Sequence, residues 1–172
     1  MKATGILRRI DELGRVVIPK EIRKTMKMRE GEELEIYTTE EEVVLKKYSE
    51  ISAMERSAQS LVSAICKVTG KGAIITDTDK VVASAGKGVL PAGSLLPDVL
   101  VKLIESRRKT TLGEGQLVPL GADDVRSETV HPILSAGDLF GAIVILSKEP
   151  ASKSDEQLAA TGAKFFEEQI DR

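Results

Sequence analysis

The side chains best placed to do chemistry in this sequence are arginines and lysines. Arg15, Lys20, Arg23 and Lys24 fall within "DELGRVVIPKEIRK", residues 11–24, and Arg8, Arg9 and Lys2 come shortly before. A guanidinium offers a fixed fork of N–H donors that fits a phosphate or the O6/N7 edge of guanine. Residues 1–29 carry nine lysines and arginines against three acids, Asp11, Glu12 and Glu21. Residues 30–47 reverse the sign, with two lysines against seven glutamates. The whole chain of 172 residues has a net charge of −2, so the basic block is local. Such a block is an electrostatic footprint for a polyanion. The competing reading is a solvated face whose arginines pair with Asp11, Glu12 or Glu21.

Other chemistries find little support. Cys66 is the one cysteine, which excludes an internal disulfide framework and reads as a small core residue of a protein from a reducing cytoplasm. His131 is the one histidine and precedes Pro132, so a metal site is not expected. Asp77 and Asp79 flank a hairpin turn and read as turn chemistry. The glycines at 86, 88 and 93 lack a following Gly-Lys-Ser/Thr, so no phosphate loop is expected there. No serine–histidine–aspartate set is recognisable, and neither catalysis nor a cofactor is expected. Tryptophan is absent and aromatics are 3% of the chain, which argues against single-strand binding by stacking. No apolar run approaches the ~18 residues of a membrane span, and "MKATGILRRIDELGR" does not read as a signal peptide.

The elements that must carry the basic residues are short. "TGILRRI" (4–10) and "RVVI" (15–18) read as strands around the turn "DELG" (11–14). Pro19 suits the start of a helix through "KEIRKTM", with Ile22 and Met26 on one face. "ELEIY" (33–37) and "VVLKK" (43–47) read as two further strands. A unit of this size has neither cysteine nor histidine to staple it. Chains near ~50 residues rarely bury enough apolar surface alone, so dimerisation is expected.

The pattern changes after Tyr48. "SEISAMERSAQSLVSAICKV" (49–68) reads as one amphipathic helix with Met54, Ala58, Leu61, Val62, Ile65 and Val68 inward. Strands follow at 73–76 and 81–85. Ser94 is expected to cap a helix that buries Leu96, Val99, Leu100, Leu103 and Ile104. Residues 125–148 read as two strands around Ala136–Gly137–Asp138. "SDEQ" (154–157) reads as a capping box that opens a last helix with Ala159, Ala163, Phe166 and Ile170 inward. This order implies an antiparallel sheet with helices packed on it, an α+β arrangement.

"KATGILRRIDELGRVVIPKEIRKT", "EGEELEIY" and "VLKKY" closely resemble the AbrB/SpoVT family of bacterial transition-state and sporulation regulators. The second half resembles the GAF domain of the sporulation branch of that family, through its element order and "RSETVHPI…GDLFGAIVILSK". The resemblance implies a swapped-hairpin β-barrel dimer over residues 1–50, a linker at 51–55 and a GAF-like sensory or oligomerisation domain over 56–172. It implies a sequence-selective regulator of transcription that binds double-stranded DNA through Arg8, Arg15, Arg23 and Lys24, helped by Lys2, Arg9 and Lys20. The C-terminal domains are expected to join dimers into a homotetramer through their outer helices. A pocket for a small-molecule effector is expected between the sheet and the helix of residues 94–109, under the 86–93 loop, with Arg126 and His131 as candidate lining. An antitoxin-like protein–protein interaction module is the alternative. The folded second half counts against it, since such antitoxins use a disordered acidic tail.

Overall fold

The computed structural model describes residues 4–171. The chain divides into two compact units, the first ending at Tyr48 and the second beginning at Ser49.

In the first unit the expected turn is present: the Gly14 N–H donates to the Asp11 carbonyl at 3.0 Å, and Gly14 has φ +76°. The flanking segments 4–10 and 15–18 form no β-ladder among the described residues. A strand exists only where another strand accepts and donates its hydrogen bonds. The described residues of a single copy do not supply that strand. Helix α1 (Lys20–Thr25) follows Pro19. Proline's missing N–H costs nothing there, because the first N–H groups of a helix have no partner within it. Strands β1 (Leu34–Thr38) and β2 (Val43–Lys47) pair antiparallel, with Ile36 opposite Leu45.

The second unit starts earlier than the sequence suggests. Ser49 accepts the Ser52 N–H at 3.1 Å and caps α2 (Glu50–Ala53), whose Ile51 is fully buried. The segment expected as a linker at 51–55 therefore contributes to the core. The single helix expected from Ser49 to Val68 is interrupted at Met54, where φ −99° and ψ 24° leave the helical region before α3 (Glu55–Thr69). Gly70, at φ +71°, ends α3 in the left-handed conformation that suits glycine.

The remaining elements are β3 (Gly72–Thr76), β4 (Val81–Ala85), α4 (Asp98–Glu105), β5 (Thr110–Leu112), β6 (Ser127–Ser135), β7 (Asp138–Ser147) and α5 (Lys153–Ile170). They build a five-stranded antiparallel sheet in the order β4-β3-β7-β6-β5. Side chains alternate across it. Ala73, Ile75, Ile133, Ile143 and Ile145 meet Ile51, Ala58, Val62, Ile65, Ala159, Ala163 and Phe166 on one face. Ile74, Val130, Ala142, Val144 and Leu146 meet Leu96, Leu100, Ile104, Val118 and Leu120 on the other.

Four local expectations shift. Ser94 does not cap α4; its carbonyl is taken by the Val81 N–H at 2.8 Å, which holds it against β4, and the helix opens after Pro97. Val68 and Val99, expected inward, are exposed, because the inward residues of their helices are Ala58, Val62 and Ile65 and then Leu100 and Ile104. The capping box of α5 lies two residues earlier, on Ser152 and Asp155. Asp155 accepts the Ser152 N–H at 3.1 Å and also the ammonium of Lys71. Burial works to raise its pKa, but the Lys71 and Ser152 hydrogen bonds together hold the carboxyl below the usual range.

Asp155→Ala removes the reciprocal half of the capping box and the ion pair and is expected to destabilise by about 3 kcal/mol. Asp155→Asn keeps an acceptor and should cost about half as much, roughly 1–2 kcal/mol. A group held low stabilises the fold above its unfolded pKa. The wild-type advantage over Asp155→Asn should therefore be full at neutral pH and fade as pH falls below about 4. Urea melts at pH 7 and pH 3.5 measure both differences.

Candidate nucleic-acid interface

The described candidate residues lie on two adjacent pieces of chain, the 8–15 segment and α1. Arg8 is exposed and its guanidinium donates to the Leu7 carbonyl at 3.2 Å. Arg9, Lys20, Arg23 and Lys24 are exposed, the last two in the final turn of α1. Lys2 lies outside the described residues.

Arg15 is held. Its Nε donates to Asp11 Oδ2 at 2.8 Å, while Asp11 Oδ1 accepts the N–H groups of Leu13 at 3.0 Å and Arg15 at 2.8 Å. The pairing that competed with nucleic-acid binding at the sequence level is thus real for this residue. It uses one of the five guanidinium N–H donors, and the side chain stays 70% exposed. Asp11 organises the turn and points Arg15 at the same time. The Asp-x-x-Gly-Arg spacing is the signal that marks this role. The Asp11 carboxyl is held below the ordinary range, first by the Arg15 backbone N–H and then by its guanidinium.

The lysines of the β1–β2 hairpin are engaged differently. Lys47 pairs with Glu32 at 3.1 Å, and Lys46 lies 4.7 Å over the Tyr37 ring. The positive charges of residues 8–24 are exposed, and Lys27 and Arg29 extend them past α1. The same stretch exposes apolar side chains: Leu7, Ile10, Leu13, Val16 and Val17 face solvent, as do Ile36 and Val43.

The expected effector pocket is filled in the second unit. Val89 and Leu90 of the 86–93 loop pack with Leu96, Leu100, Val118 and Leu120 into the sheet face where the pocket was expected. Arg126 pairs with Glu114 at 2.6 Å on the surface, and His131 sits half-buried in β6 with Nδ1 3.0 Å from the Pro132 carbonyl oxygen. Strand alternation sends the two to opposite faces of the sheet. An open depression of about 430 Å³ lies elsewhere, over α3 and α5, lined by Arg56, Ser57, Ser60, Leu61 and Phe165. Asp77 does what its turn position suggests, accepting the N–H groups of Asp79 at 2.9 Å and Lys80 at 2.8 Å. Burial nevertheless pushes its carboxyl pKa up. Sequence reasoning missed Glu128, a fully buried glutamate in an otherwise apolar core.

Residues 53–171 match the family model described as "Stage V sporulation protein T C-terminal, transcription factor". The chain is 40% identical over its full length to stage V sporulation protein T of Bacillus subtilis strain 168, with all of that protein covered. It belongs to the stage V sporulation protein T family. The family is one of transcription factors, not enzymes. Its first half is also similar to the transition state regulatory protein AbrB of the same organism, at 42% identity over 52% of this chain and 77% of AbrB. Residues 7–52 match a second model, "Antidote-toxin recognition MazE, bacterial antitoxin". The second unit has a GAF-like fold. It is similar to the GAF domain region of a Geobacter sulfurreducens protein, with a TM-score of 0.56 and 16% identity over 71% of this chain and 95% of that one.

The Asp11–Arg15 turn yields a direct expectation. The Asp11 carboxyl, followed by carbon-13 NMR, should titrate below the roughly 3.9 of an unstructured aspartate. In Arg15→Ala it should move back toward that value, though only in part, since the backbone N–H donors remain. No movement would show that the pair does not persist in solution.

Proposed function

We propose that this chain is a sequence-selective, double-stranded-DNA-binding regulator of transcription of the sporulation type, acting in the cytoplasm as a dimer of its N-terminal units. The observation that carries this reading is the full-length similarity to stage V sporulation protein T, joined to the AbrB-like first half. The physics supports it. Six described basic residues, Arg8, Arg9, Arg15, Lys20, Arg23 and Lys24, are exposed on one small unit. A second copy doubles them, with Lys2 from each chain in addition. Arg23 is the cleanest candidate, since its side chain has no hydrogen bond or ion pair among the described residues.

Dimerisation answers the unpaired segments and the exposed apolar side chains at once. In a swapped-hairpin dimer, residues 4–10 and 15–18 would find their ladder partners on the other chain. Leu7, Ile10, Leu13, Val16 and Val17 would leave water. Burying such side chains is favourable by about 25 cal/mol per Å². Covering several of them in a symmetric pair is the missing stabilisation of a short chain without disulfide or metal. The domain division we propose is residues 1–48 for DNA and 49–172 for the GAF-like domain.

The GAF-like domain serves assembly in this reading. Phe165 is 41% exposed beside Leu61 on the α3–α5 face, which supports pairing of C-terminal domains into a tetramer through these outer helices. A small-molecule effector would act by favouring one spacing of the two DNA-binding dimers over another. A second reading, an antitoxin-like interaction module, has the MazE match over residues 7–52 in its favour. The folded domain that follows stands against it, because residues 49–172 do not supply a disordered acidic tail.

Gel-shift titration across salt tests the DNA reading. The four principal residues, Arg8, Arg15, Arg23 and Lys24, from each of two chains neutralise ~8 phosphates if all engage, for a log–log slope of about −7, steeper where Arg9, Lys20 or Lys2 also engage. Arg23→Ala should weaken binding, make the slope shallower by up to ~2 per dimer, and leave the melting temperature unchanged. Binding indifferent to salt would exclude the electrostatic account.

Light scattering tests assembly. Full-length protein should have four times the chain mass, and residues 1–50 alone twice theirs. A full-length monomer would refute the swapped hairpin, while a full-length dimer would refute only the tetramer.

A further inference from the structure

Between β5 and β6 the chain crosses the α4 side of the sheet without helix or strand, from Gly113 to Arg126. This crossing buries Val118 and Leu120 against Ile74, Val130, Val144 and Leu146. Beneath it lies Glu128, which is 1% exposed. Its carboxylate accepts one hydrogen bond, from the Val118 N–H at 2.8 Å, and forms no ion pair among the described residues. We propose that residues 113–125 form a strap that opens off the sheet as a local unit, driven by the Glu128 carboxylate that it buries when closed.

The surroundings of Glu128 decide the direction. Its ladder partners are Leu112 on β5 and Leu146 on β7, and Val130 is its neighbour on the same face of β6. The strap brings Val118 and Leu120, and α4 contributes Leu100 and Ile104 to the same core. The charged groups of the strap and of the adjoining strand ends pair elsewhere: Arg126 with Glu114 at 2.6 Å and Lys148 with Asp124 at 3.4 Å. Asp123, the remaining acid of the strap, is exposed. Among the described residues no cation pairs with the buried carboxylate. Burial therefore raises the carboxyl pKa, and the Val118 hydrogen bond opposes it only in part.

The ties that hold the strap are few. Leu120 accepts the Leu90 N–H at 2.9 Å, beside the Val118–Glu128 bond and the two surface ion pairs. Gly121, at φ +87°, passes so close to the 86–93 loop that an added Cβ would meet the Gly88 carbonyl oxygen at 2.6 Å. The lack of helix or strand and the few backbone bonds to the sheet are the marks of a segment that opens below the free energy of global unfolding, although its Val118 and Leu120 are buried. Opening returns the carboxylate to water. The closed strap favours protonated Glu128, whereas the open one accepts the ionised form at its ordinary pKa. Opening should increase as pH rises from about 4.5 to the pKa of the closed state and level off above it, by up to roughly tenfold per pH unit within that window.

Native-state hydrogen exchange on the full-length protein tests this. Rates of the 113–125 amides are measured from pH 4 to pH 8 and corrected for intrinsic exchange. In the wild type, protection of the strap should fall with rising pH while β3 and β7 amides stay protected. In Glu128→Gln, which keeps an acceptor for Val118 but cannot ionise, protection should be at least as high at pH 8 and independent of pH. The wild-type series is informative even if the variant does not fold. Strap protection flat with pH in the wild type, the same pH slope in Glu128→Gln, or strap amides that exchange in step with the sheet would each overturn the proposal. The DNA-binding reading does not enter this experiment, so the two can fail separately.

Discussion

The second unit depends on the register of β7. This strand is paired on both sides, to β3 and to β6, and Ala142–Leu146 are buried throughout. Because its side chains alternate, Ile143 and Ile145 supply the seat for α3 and α5, and Ala142, Val144 and Leu146 the seat for α4. A slip of one residue would exchange the two faces and unseat every helix at once. The tight turn at Ala136 and Gly137, both with positive φ, places Ser135 opposite Asp138, and an irregularity between Ile133 and Leu134 shifts the ladder by one residue to put Ile133 opposite Gly141, the register the buried stretch keeps. That turn geometry matches the twist of the strands it joins.

The first unit has the opposite character. Its described backbone turns where the sequence says it should, yet its apolar side chains remain in water and two of its extended segments lack partners. Arg8, Arg9 and Arg15 occupy the same segments, and Lys20, Arg23 and Lys24 follow on α1. In the proposed dimer these facts have one cause: a segment that gives its hydrogen bonds and apolar side chains to another chain keeps its arginines on the outside. Oligomerisation and DNA recognition would then be inseparable in this unit. Asp11 already organises the turn that carries Arg15.

Two buried carboxylates show how context sets the outcome of burial. Asp155 accepts the Ser152 N–H in the capping box of α5 and receives a lysine, so its charge is favoured and ties α5 to the start of β3. Glu128 receives one backbone N–H in an aliphatic core, and its charge is disfavoured. Both are almost fully buried. The difference is the cation, because the attraction of an opposite charge can offset lost hydration and a single neutral hydrogen bond offsets only part of it.

The sequence by itself determined the local features of this protein: the turn at Asp11–Gly14, the helix after Pro19, the Ala136–Gly137 hairpin and the sign and position of the basic block. Each depends on neighbours in the chain, through backbone conformation, hydrophobic period or charge count. It also carried the family resemblance and the candidate residues from Arg8 to Lys24. Features set by distant partners were not legible. The placement of Ile51 in the core, the helix start at Asp98 and the capping role of Ser152 required knowing what packs against them. So did the filling of the expected pocket by Val118 and Leu120, and the isolation of Glu128 from every described cation. Burial is a property of the assembled sheet and its covering segments. Only tertiary structure decides it, because the residues that exclude water from a side chain are far from it in sequence.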